Sequence, residues 1–103
     1  MSEGRVIEGE GGSITIAAAA LAQVVQQAAE SVEGARVRRP RRALELEVEG
    51  DRARVELDLG VRYGLVLTDL AREVQERVSS ALATMGGLEV EAVDVSVTEL
   101  EGA

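Results

Sequence analysis

Residues 61–97, VRYGLVLTDLAREVQERVSSALATMGGLEVEAVDVSV, decide the fold of this chain. Val61-Arg62-Tyr63-Gly64 reads as the end of a strand running into a tight turn. Leu70, Val74, Val78, Ala81, Leu82 and Met85 then recur at helical spacing and predict one amphipathic helix with a single apolar stripe. Thr68 is placed to cap its start, Asp69 sits where the helix dipole favours an acid, and Gly86-Gly87 stops it. Glu73 and Arg77 make a favourably ordered i,i+4 pair on the wet face. Beyond the stop, Leu88, Val90 and Ala92 share one parity, whereas Val93, Val95 and Val97 take the other. That slip predicts a final strand with a bulge near Ala92.

Working outward, Leu44, Leu46 and Val48 alternate with Glu45, Glu47 and Glu49. After a Gly50-Asp51 turn, Val55, Leu57, Leu59, Val61 and Tyr63 alternate with Arg54, Glu56, Asp58 and Arg62. Two such runs around a glycine turn are a β-hairpin. Upstream, Ala17, Leu21, Val24, Val25, Ala28, Ala29 and Val32 form the stripe of a first helix, with Gly34 expected as its C-cap. Ser13-Ile14-Thr15-Ile16 reads as a short strand. The order is β-α-β-β-α-β. Each strand carries one apolar and one charged face, so a two-layer α/β (α+β) sandwich is expected, a mixed sheet with both helices on one face. The strands on either side of the second helix should run parallel if they share the sheet. Residues 1–12 are expected to be a flexible arm, 13–99 a single domain, and 100–103 a tail.

Composition narrows the chemistry. The chain has 103 residues, a formal charge of −8, and no His, Cys, Trp, Phe or Lys; all eleven cations are Arg. Without those residues a thiolate centre, a Schiff-base lysine or a histidine base cannot be assembled. Tyr63, the only aromatic residue, would have to act alone, and an unperturbed phenol titrates near pH 10. No cofactor is expected. The acidic field disfavours a general nucleic-acid binder. The polar, acidic start is unlike a signal peptide. The uncharged run Gly11–Ala29 contains Ser13, Thr15, Gln23, Gln26 and Gln27, its apolar residues recur at the spacing of a packed helix, and direct membrane insertion is not expected. Gly9-Glu10-Gly11-Gly12 matches a GxxG pattern but reads as linker.

Gly12-Ser13-Ile14-Thr15-Ile16-Ala17, Val32-Glu33-Gly34, Val61-x-Tyr63-Gly64, Val74-Gln75-Glu76-x-Val78 and Met85-x-Gly87-Leu88-x-Val90-x-x-Val93-x-Val95-x-Val97 occur in this order. Over roughly residues 12 to 98 the chain thus resembles the bacterial alkaline-shock/general-stress protein family. It departs from the usual pattern at Ala18 and Ala19, Gly86 and Asp94. The resemblance implies a small cytoplasmic α/β domain without known catalysis, linked to envelope stress. It also implies attachment, for some members, to the inner face of the membrane through a separate small membrane protein.

Arg36, Arg38, Arg39, Arg41 and Arg42 put five positive charges into seven residues around Pro40. Glu45 and Glu47 project from the strand that follows. These seven residues are the candidate partner-binding set, since a basic loop and an acidic sheet face on one domain complement each other between copies. The expected function is a non-enzymatic, stress- and envelope-associated scaffold that self-associates. The alternative is a small RNA-binding module using the Arg36–Arg42 loop, without the interleaved aromatics that stack on bases.

Overall fold

The computed structural model describes residues 4–38 and 44–102. In chain order it contains β1 (Arg5–Gly9), β2 (Gly12–Ile16), α1 (Ala18–Glu30), β3 (Ala35–Val37), β4 (Leu44–Glu49), β5 (Arg52–Arg62), α2 (Leu67–Gly86) and β6 (Glu89–Glu101). The predicted β-α-β-β-α-β frame is present with two short strands added. One of them, β1, lies within the expected N-terminal arm, and it pairs antiparallel with β2. Gly9–Gly12 is therefore the turn of this hairpin rather than a linker. The other, β3, occupies the start of the expected basic loop.

The main sheet is built around β5. β3 and β4 lie antiparallel along one side of it, and β6 lies parallel along the other. Alternation sends Ala53, Val55, Leu57, Leu59 and Val61 inward, all buried. Their neighbours Leu44, Leu46, Val37 and Val93 complete the apolar face. α1 and α2 cover it, contributing Leu21, Val25 and Ala29 from one helix and Leu70, Val74, Val78 and Leu82 from the other. Each such Leu or Val contributes about 1.5–3 kcal/mol relative to exposure, so the sheet–helix interface is the main source of stability. Val95, which shares the parity of buried Val93, is only half-buried and packs against the core.

The parity slip in the last strand is real. Between Ala53 and Arg54 the partner on β6 jumps from Val90 to Ala92, and a second jump follows Leu59. Gly87 ends α2 in the left-handed region at φ 64°, where its N–H reaches the Ala83 carbonyl. Only glycine adopts that conformation cheaply.

Three local expectations differ. α1 ends at Glu30 with Ser31 as its C-cap, and Gly34 falls in the turn beyond. α2 starts earlier than Thr68, with Val66 at the N-cap and no side-chain cap; the Val66 carbonyl takes the N–H of buried Leu70. Tyr63 and Met85 are 60% and 66% exposed. The turn carries Tyr63 off the sheet, and Met85 falls outside the α2 stripe, where buried Leu82, Gly86 and Leu88 close the core instead.

Candidate functional site

The face of the sheet away from the helices is open and charged. β4 presents Glu45, Glu47 and Glu49 there, all exposed. Register pairs them with Glu56, Arg54 and Arg52 of β5, and β5 is paired in turn with β6. Glu45, Glu56 and Asp94 thus form one row of carboxylates across three strands. Below it, Arg52 donates to Glu91 at 3.1 Å. Glu47, Glu49, Arg52, Arg54 and Glu91 line a shallow hollow of about 250 Å³. Like charges directly opposite one another destabilise a sheet, whereas the neighbouring arginines offset part of that cost.

Above the row lies the described part of the basic segment. Arg36 is the register partner of Gly60, and Arg38 takes up the Asp58 carbonyl through its backbone N–H. Glu30, at the end of α1, accepts from the Val37 N–H at 3.0 Å and so fixes β3 to the helix layer. The Arg38 side chain runs across β5 to pair with Glu99 on β6. Gly60 makes this crossing possible: a Cβ there would lie 3.1 Å from the Arg38 Cδ and 2.5 Å from a Glu101 carboxylate oxygen.

Of the seven predicted site residues, the structure brings Arg36, Arg38, Glu45 and Glu47 onto one face along one side of β5. Arg39, Arg41 and Arg42 lie outside the described residues. Glu56, Asp94 and Glu99 belong to the same surface and were missed as site residues. Glu56 had a readable signal in its alternation, but Asp94 and Glu99 depend on the bulged register of β6. Part of the positive charge expected to be free for a partner is spent inside the domain, on Glu99. The nucleic-acid reading weakens accordingly, since Arg38 is paired on a surface rich in carboxylates.

Comparison with known proteins agrees with the fold. The model of a family described as having a cell envelope-related function, the family of alkaline-shock protein 23, matches residues 6–101. No curated protein sequence matches the chain. Among solved structures, a double variant of MamM-CTD is 25% identical with a TM-score of 0.56, covering 82% of this chain and 95% of that one. A cadmium form of another MamM-CTD variant is 27% identical with a TM-score of 0.52, covering 78% and 94%. Cadmium belongs to that protein: this chain has no His or Cys, and its described residues hold no group of three or more potential ligands placed for a metal ion. No helix among the described residues is long and apolar enough to cross a membrane. With the predicted frame present and the family's pattern running through β1 to β6, the chain belongs to the alkaline-shock protein family of cell envelope-related function.

Proposed function

We propose that this protein is a non-enzymatic scaffold of the cell envelope, working through protein–protein contacts and self-association. It reaches the inner face of the membrane through a membrane-anchored partner. The observation that carries this reading is the outer sheet face. It is exposed, with a carboxylate row at Glu45, Glu56 and Asp94 between arginines on either side. Patterned charge on an open surface suits a macromolecular partner of complementary pattern, because it fixes orientation and speeds encounter. Catalysis, in contrast, favours a concave, water-excluding site. Tyr63 is exposed in a turn, and Tyr63→Phe should leave the cellular role intact.

The test is affinity capture from the native membrane fraction with the wild-type chain and with a Glu45→Arg, Glu56→Arg variant of equal helical signal. Loss of a small membrane protein from the variant's eluate is the expected result. Identical eluates would remove the sheet face from the proposal.

A further inference from the structure

Two long uncharged runs interrupt a chain that is 29% charged: Gly11–Ala29 and Val78–Leu88. They are far apart in sequence, and the fold sets them side by side. α1 packs on α2 with Leu21 beside Gly86 at one end and Ser31 against Arg77 at the other, where the guanidinium donates to the Ser31 carbonyl at 3.1 Å. The two helices therefore run antiparallel. Between them lies an open groove of about 550 Å³ lined by Ala28, Ser80, Ala81, Thr84 and Met85, with Glu76 and Arg77 only at its far end. Arg77 is itself engaged by Glu73 at 2.7 Å. On the same helix layer, Ala20, Gln23 and Gln27 of α1 are exposed, as are Ala83 and Thr84 of α2, and Thr84 lines the groove.

We infer that this uncharged helix face is where a second copy of the chain binds, helix layer against helix layer, in a two-fold dimer. The inference rests on the reading that the protein self-associates, and it names the face. A second copy carries the same charge of −8, and the outer sheet face would bring its carboxylate row against another charged surface. Across the uncharged part of the α1–α2 face, two identical acidic molecules meet without setting like charges against each other. Depletion of charge and an exposed Met are two marks of an interface core, and the small side chains allow two helix layers to approach closely. A two-fold contact uses the same patch on both subunits, so one uncharged face suffices.

Light scattering and sedimentation of the full chain across a salt series, up to about 1 M, separate this face from charge-based docking. Screening removes the residual repulsion between two acidic copies, so the dimer should persist or tighten, whereas docking through the sheet face would dissolve. Gln27→Arg with Thr84→Arg should weaken the dimer at least roughly tenfold, since like charges then oppose across the contact. This holds even though the change lowers the net negative charge. Mixing it with Gln27→Glu, Thr84→Glu should restore mixed dimers. Ala20→Glu, which suits the first turn of α1, is a second variant that should break the dimer while keeping the helix. Monomers at every salt, dimers lost as salt rises, or dimers indifferent to these charges would overturn the inference. The capture experiment on the sheet face stands or falls separately.

Discussion

Arg38, the residue after β3, pairs with Glu99 of β6 by crossing the bare backbone of Gly60 on the strand between them. The pair ties the two sides of the sheet together on its outer face. Both side chains keep a third or more of their surface in water, so the pair should contribute no more than about 1 kcal/mol. A double-mutant cycle of Arg38→Ala and Glu99→Ala in urea, at low salt and near 1 M, should show a coupling that vanishes at the higher salt. Gly60→Ala should remove most of the same coupling, because the new methyl occupies the path of the arginine.

Leu57 sits at the centre of β5 with 1% of its surface exposed, and Leu100 near the end of β6 with 47%. Leu57→Ala should cost about 2–5 kcal/mol in chemical denaturation. Leu100→Ala should cost less than about 0.5 kcal/mol. Equal costs would mean that the strand phase assigned here is wrong.

That phase was legible from residues alone. Leu44-Glu45-Leu46-Glu47-Val48 and Val55 to Val61 alternate cleanly, so the sheet's inner and outer faces, and with them the places of Glu45 and Glu47, follow from period two. The break near Ala92 was legible for the same reason. β3 was not, because Ala35-Arg36-Val37 offers too short an alternation to stand out within an arginine-rich segment. β1 was hidden by its length and by flanking glycines and glutamates. The partner of Arg38 was unreadable in principle: a parallel register with two irregularities sets which β6 carboxylate lies beyond Gly60, and no local pattern encodes it.

Arg5 holds the base of the β1–β2 hairpin against the domain. Its guanidinium donates to the carbonyls of Gly50, Gly86 and Gly87 at 3.0–3.2 Å. A cation there also suits the C-terminal end of α2. Arg5→Ala should cost about 1–2 kcal/mol and raise amide exchange across residues 5–16 before the rest of the sheet responds. Unchanged exchange in the hairpin would show that its own ladder, and not this anchor, keeps it in place.

Glu56 faces Glu45 on one side and Asp94 on the other, an arrangement that folding alone does not favour. Replacing the middle carboxylate removes two like-charge oppositions while keeping shape and hydrogen-bonding capacity. Glu56→Gln should therefore stabilise the domain by about 0.2–1 kcal/mol at low salt, and the gain should fade as ionic strength rises. If the row exists for a partner, the same variant should capture less of it from the membrane fraction, gaining stability while losing binding. A variant that is less stable at low salt would show that the row is held by favourable interactions, and its cost could no longer be attributed to partner recognition. Gained stability with undiminished capture would place the partner elsewhere on the molecule.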